Sequence, residues 1–152
     1  MSEAHLIVVG RLKDAHLEAV EMDYLKRLTS LKLKIHEIKA DAENKLAESK
    51  SVLKKLSELF KEHKYQLILL MEHGQEFSSV NFAQFISDQF SQHKHVVFVI
   101  AGAEGHGDEL IRLPHFKLSL SKLTFPHKIA RILFVEQFYR AQTILSGHPY
   151  HN

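Results

Sequence analysis

Leu118-Ser119-Leu120-Ser121-Lys122-Leu123-Thr124-Phe125-Pro126-His127 is the stretch on which the fold of this 152-residue chain turns. A short apolar strand runs into a small, hydroxyl-bearing turn. Pro126 then ends the strand and opens a helix, where its missing N–H does no harm. From His127 to about Leu145 that helix is strongly apolar, and Ile132-Leu133-Phe134-Val135 are consecutive, so apolar side chains face every direction. A helix of this kind is buried on more than one side. In a chain this small the second surface is either the core or another subunit. After it, His148-Pro149-Tyr150-His151 is aromatic, where a loose end is usually polar. The tail is therefore expected to be tied to the body, and the region is expected to be the site.

Working outward, the rest of the chain alternates strands with helices. His5 to Val9 is an apolar run closed by Gly10, and Lys32 to Ile38 alternates apolar and polar residues. Leu67-Ile68-Leu69-Leu70-Met71, within a strand from Gln66, and His95 to Ile100 are unbroken apolar runs. That is the pattern of strands covered on both faces. Phe116 to Leu120 is the last strand. Helices are expected from an Asp14 cap to Thr29, within Asp41–His63, from Ser78 or Ser79 to His93, and briefly from Asp108 to Leu113. The polar start of the second, Asp41 to Ser51, reads as a mobile loop or frayed turn. This order predicts an α/β fold with a parallel sheet of about five strands and a single domain over residues 1–152.

Composition bounds the function. Twenty Lys and Arg against eighteen Asp and Glu leave a formal net charge of +2, and the pI is near 8.8. That stays below the basic range of an obvious nucleic-acid binder. There is no cysteine, which excludes disulfides, thiolate metal sites and a cysteine nucleophile. The start shows no secretory signal, and no apolar run approaches the roughly 20 residues of a membrane span, so a cytoplasmic protein without a membrane partner is expected.

In an open parallel sheet, ligands bind beyond the carboxyl ends of the strands. Three ends stand out: Leu70-Met71-Glu72-His73-Gly74, Ile100-Ala101-Gly102-Ala103-Glu104-Gly105, and the opening stretch. The glycine loop matches neither a P-loop, which needs Gly-Lys-Ser/Thr, nor a dinucleotide fingerprint, which follows an early strand. His148 and His151 lack a third ligand, so no metal is expected. Within the apolar helix, Arg131, Glu136 and Arg140 require partners. Arg131–Glu136 or the i,i+4 pair Glu136–Arg140 is the simplest expectation.

Leu120 to His127, Arg131, Glu136-Gln137-Phe138-Tyr139-Arg140-Ala141 and His148-Pro149-Tyr150-His151 closely resemble the RlmH-type methyltransferases of the SPOUT class, small enzymes that methylate N3 of a pseudouridine in 23S ribosomal RNA. The resemblance runs nearly end to end, from Leu6-Ile7-Val8-Val9-Gly10 onward. It implies an α/β fold with a C-terminal trefoil knot, a homodimer, and an S-adenosylmethionine pocket near the subunit interface. It implies cofactor contacts at Leu70, Gly102, Ser121, Lys122, Leu123, Thr124, Phe125 and Pro126, the same three strand ends. The chain departs from the family at Ala101, where glycine is usual, and at Ala103, where proline or serine is common.

The implied reaction is in-line methyl transfer to a ring nitrogen without a covalent enzyme intermediate. The nitrogen must lose its proton, and His151 is the candidate base by type. Arg140 is expected to stabilise the developing charge, and Tyr150 to stack on or hydrogen-bond the base. These three are expected either from a partner subunit or from the tail closing over the pocket. The modest net charge fits a pre-shaped substrate, 23S rRNA within an assembled ribosome, better than naked RNA. The rivals are a non-catalytic knotted dimer that holds RNA or a nucleotide, and a SPOUT enzyme acting on tRNA.

Overall fold

Five strands pair into one all-parallel sheet: β1 (Ser2–Val9), β2 (Leu31–Ile38), β3 (Gln66–Gln75), β4 (Val96–Ile100) and β5 (Phe116–Leu118), in the order β2-β1-β4-β3-β5. A computed structural model describes residues 2–152. The helices are α1 (Ala15–Arg27), α2 (Lys45–Phe60), α3 (Ser79–Gln92), α4 (Asp108–Ile111) and α5 (His127–Ser146).

Strand alternation decides the layers, because successive side chains point to opposite faces. Leu6, Val8, Ile68, Phe98 and Ile100 face the core built with α3 and α5, which includes Phe134 and Phe138. Ile7, Val9, Leu67, Leu69, Val97 and Val99 face the core built with α2 and α4. The unbroken apolar runs are therefore covered on both sides. The caps follow the polar residues that precede each helix. Asp14 accepts from the N–H groups of His16 and Leu17, and Ser78, not Ser79, accepts from Asn81 N–H. Ser79 instead donates its hydroxyl to Gln137 on α5 at 2.8 Å.

The start of α2 corrects the reading of Asp41 to Ser51. Residues from Lys45 are helical, Asn44 caps Ala47 N–H, and Glu48 and Ser49 are buried. Glu48 turns back to accept the Asp41 N–H at 2.8 Å, which pins the preceding loop.

The sheet's edge carries the unusual feature. β3 continues beyond Met71 through Glu72-His73-Gly74-Gln75, a segment whose polarity reads as a turn. It bends so that Leu118 of β5 pairs with Leu70 on one side and Gln75 on the other. Leu118 is thus held at both ends of the bend that β3 makes before α3. Ser119 fastens it there: its N–H donates to Gln75 O at 2.9 Å and its hydroxyl contacts Glu72 O at 3.2 Å. These bonds end β5 at Leu118, short of the Leu120 that alternation predicts. From the enclosed segment the chain enters α5, which packs between α1 and α3 on the main core. Strand order and these contacts fit the α/β knot that the family resemblance implies.

Arg131 departs from the expected pairing. It leaves Glu136 to Arg140 and reaches across the fold instead, to Glu21 of α1 at 2.7 Å and Glu37 of β2 at 2.6 Å. Glu37 also accepts the Leu12 N–H at 3.1 Å. Burial opposes the charge on Arg131, but the two carboxylates outweigh it and hold the guanidinium above its ordinary pKa. Burial likewise opposes the charge on Glu37, and the bonds from Arg131 and Leu12 override it, so its pKa is lowered. Arg131→Met is expected to cost about 3 kcal/mol, the lower end for breaking a buried pair, because Glu37 keeps some solvent contact. Glu37's share of this stability is present above its unfolded pKa of about 4.5. It is lost as pH falls through the depressed folded value. Urea unfolding at pH 7 and pH 3.5 measures both effects, and the gap between variant and parent is expected to narrow at the lower pH.

Candidate active site

The three strand ends picked out from sequence converge on one cavity of about 430 Å3. Leu70 comes from the end of β3, Gly102 from the loop after β4, and Ser121, Leu123, Thr124 and Phe125 from the stretch between β5 and α5. Two of the residues expected there are not among its walls. Lys122 is exposed on the turn, and Pro126 starts α5, where its carbonyl accepts the Ala130 N–H at 2.9 Å.

Small residues shape the cavity. A Cβ on Gly102 would lie 2.7 Å from the Glu48 carboxylate, so the buried start of α2 presses directly on the glycine loop. Gly105 turns the loop at φ +80°, a conformation that glycine adopts without steric cost. Neither Ala101 nor Ala103 has a positive φ, so alanine at both positions is compatible with the loop's backbone. The turn after β5 is held by its own hydroxyls. Ser121 Oγ accepts the Leu123 N–H at 3.0 Å, and Ser119 donates its hydroxyl to Ser121 O at 2.9 Å.

Two wall residues have no mark in the sequence that singles them out. Glu72 accepts the Thr124 hydroxyl at 3.0 Å, joining the β3 arm to the turn and leaving a carboxylate at the mouth. His106 is buried at 7% exposure, and its Nε2 contacts Leu70 O at 2.9 Å. It lies 36 positions from its partner, beyond the reach of any local pattern.

A second cluster lies on the far half of α5. Arg140 donates to Glu136 at 2.9 Å and to His151 Nδ1 at 3.0 Å, with its guanidinium 4.8 Å over the Tyr150 ring. Tyr150 donates its hydroxyl to Glu136 at 2.9 Å, and its ring packs edge-on against Tyr139. The tail reaches this place because Gly147 closes α5 in the left-handed conformation at φ +74°, the usual way for a helix to end in glycine. Burial raises the Tyr150 pKa, reinforced by contacts with Tyr24 and Glu136, so this phenol stays protonated and serves as a donor. The Glu136 hydrogen bond raises the Arg140 pKa, and its charge is permanent. A guanidinium can only donate. His151 therefore accepts through Nδ1, and its neutral ring carries the proton on Nε2.

Within one chain the cavity and this cluster do not meet. Arg140 lies more than three turns along α5 from His127, which lines the cavity. At a helical rise of about 1.5 Å per residue, that separation is roughly 20 Å. The tail is folded onto its own helix rather than over its own cavity. Arg140, Tyr150 and His151 lie together, and their distance from the cavity follows from the straight course of α5.

Comparison with known proteins places the chain in a family. A family model described as "Predicted SPOUT methyltransferase" matches residues 2–151. A protein of Synechococcus sp. (strain CC9311) named Ribosomal RNA large subunit methyltransferase H is 38% identical over 99% of this chain and 96% of its own length. Proteins of the same name from Prochlorococcus marinus (strain NATL1A) and Bacteroides fragilis (strain YCH46) are 39% and 38% identical, each covered over 97% of its length and covering 99% and 97% of this chain. Among solved structures, the SpoU methyltransferase AviRb from Streptomyces viridochromogenes aligns with 97% of this chain and 61% of its own, at 8% identity and a TM-score of 0.44. With a family match across nearly its whole length, the chain belongs to the SPOUT methyltransferase family.

Proposed function

We propose that the protein methylates large-subunit ribosomal RNA, transferring a methyl group from S-adenosylmethionine to N3 of a pseudouridine in 23S rRNA on assembled ribosomes, and that it does so as a cytoplasmic homodimer. The observation that carries this reading is the cavity walled by three strand ends, paired with an arginine–tyrosine–histidine cluster that lies well away from it within one chain. The relatives' shared name supplies the substrate class.

The cavity fits the proposed methyl donor. Its volume of about 430 Å3 lies within the range of small-ligand sites, roughly 300–1,000 Å3. Leu70, Ile100 and Leu120 offer apolar walls to a flat heterocycle, and the glycine loop admits close backbone approach. The Glu72 carboxylate at the mouth suits a cationic ligand. When bound, S-adenosylmethionine supplies an electrophilic methyl on a sulfonium sulfur. Leu70, Gly102 and Ser121 to Phe125 hold and orient it, and the enclosed turn limits water.

In the dimer, Arg140, Tyr150 and His151 of one subunit face the other subunit's cavity. Tyr150 orients the base as a donor. Arg140 is drawn toward the negative charge that develops on the ring, and its departure from His151 frees Nδ1 to take the N3 proton. The base is thus unmasked by the substrate it acts on. His151→Ala is expected to bind S-adenosylmethionine normally by calorimetry while methyl transfer to ribosomes lacking the modification falls about 100-fold. Near-normal turnover in that variant sinks the base assignment. Transfer to tRNA but not to ribosomes, or cofactor binding with no transfer to either, replaces the substrate or the catalytic role.

A further inference from the structure

His106 occupies a place in the cavity that backbone contacts alone do not explain. Its Nε2 lies 2.9 Å from Leu70 O, and a carbonyl oxygen cannot donate, so the proton is on Nε2. In the neutral ring Nδ1 is then an acceptor. Nδ1 has no hydrogen bond among the described residues, and it is not among the buried side-chain atoms closed off without a partner. A histidine that lines a cavity, with one nitrogen tied to the wall and the other open, presents a directed lone pair to whatever fills it.

We propose that His106 is a recognition residue: its Nδ1 accepts a hydrogen bond from an N–H or O–H donor on the adenosine part of the methyl donor. This rests on the S-adenosylmethionine reading above. The choice between the two ends of that molecule follows from charge. The ammonium at the amino-acid end matches the exposed Glu72 carboxylate, whereas the exocyclic amine and ribose hydroxyls are neutral donors that match a neutral imidazole. Leu70, Gly102 and Ile100, which line the same cavity as His106, are apolar or small, as a nucleoside requires. Burial holds the His106 pKa below its ordinary value, and nearby His115 and Lys45 push the same way against the Leu70 bond, which keeps the lone pair available at neutral pH.

Calorimetric titration of S-adenosylmethionine into the parent, His106→Phe and His106→Gln tests this, together with 15N-histidine spectra of the parent. Phenylalanine keeps the ring's bulk but removes the acceptor, and is expected to raise Kd about tenfold, the size of one hydrogen bond. Glutamine can donate to Leu70 O and still offer its amide oxygen, so Kd is expected to stay within about threefold of the parent. The spectra are expected to show the Nε2–H form throughout, with the Nδ1 resonance moving upfield on binding. An unchanged Kd in His106→Phe overturns the inference and leaves the cofactor reading intact. Equal losses in both variants with an unmoved Nδ1 resonance also overturn it, since His106 then only holds the loop. Failure of the parent to bind overturns the cofactor reading itself and this role with it.

Discussion

Gly74→Ala is expected to leave the chain unable to complete its fold. The added Cβ would stand 2.6 Å from the carbonyl carbon of Leu118, 2.7 Å from that of Lys117 and 2.8 Å from Leu118 N. All three are backbone atoms, so no side chain can swing aside. The backbone is itself fixed, since β5 lies between Leu70 and Gln75 and is fastened by Ser119. Overpacking a core costs typically about 1–3 kcal/mol because neighbours give way. Here the neighbours are the two walls of the knot, and the cost is expected to exceed about 3 kcal/mol, a large fraction of a domain's stability. Gly147→Ala is the control. Gly147 has a φ of +74°, but open space surrounds it. Alanine in that left-handed conformation is strained by about 1–2 kcal/mol and no more. Soluble yield and urea midpoints of the two variants decide the matter. A Gly74→Ala protein no less stable than Gly147→Ala means that β5 is not gripped between the strand and its arm.

Local patterns carried most of the architecture. Two-sided apolar runs marked β3 and β4, and Asp14 and the Ser78–Ser79 pair marked helix starts, because these signals act over one to four residues. Three strand ends pointed to the cavity for the same reason: the carboxyl ends of parallel strands share one edge. What local pattern missed depends on distant partners. Arg131 finds Glu21 and Glu37 rather than Glu136 because α5 turns its first half toward α1 and β2, 110 and 94 positions away in sequence. Glu72-His73-Gly74-Gln75 is polar like a turn, yet it is strand, because its hydrogen bonds go to β5. The start of α2 looked loose because it is polar, while Glu48, which anchors it, is buried against Asp41 and Gly102. The knot itself has no signature in composition and became an expectation only through family resemblance.

Arg140→Ala is expected to reduce methyl transfer by about 10²–10³-fold, the range for removing a single charge-stabilising donor, while leaving the fold nearly as stable. The fold is spared because Glu136 keeps two donors, the Tyr150 hydroxyl at 2.9 Å and Gln137 Nε2 at 2.7 Å. The loss of activity follows from position. Arg140 carries a permanent charge, is only partly covered, and both touches His151 and stacks on Tyr150. Without it, nothing neutralises charge on the ring, and nothing links that charge to release of the His151 lone pair. Methyl incorporation into unmodified ribosomes gives the loss, and thermal unfolding verifies the fold. A mixed-dimer experiment tests where Arg140 acts. A second chain with Ala101→Phe has its cavity filled but keeps Arg140. Alone, each variant is expected to be nearly inactive. Co-expressed in equal amounts, half of the dimers are mixed and each mixed dimer has one intact site of two, so roughly a quarter of the parental activity returns if the sites are shared across an isologous interface. If Arg140 serves its own chain's cavity, every combination stays inactive. Full activity of Arg140→Ala alone would instead remove the arginine from the reaction altogether.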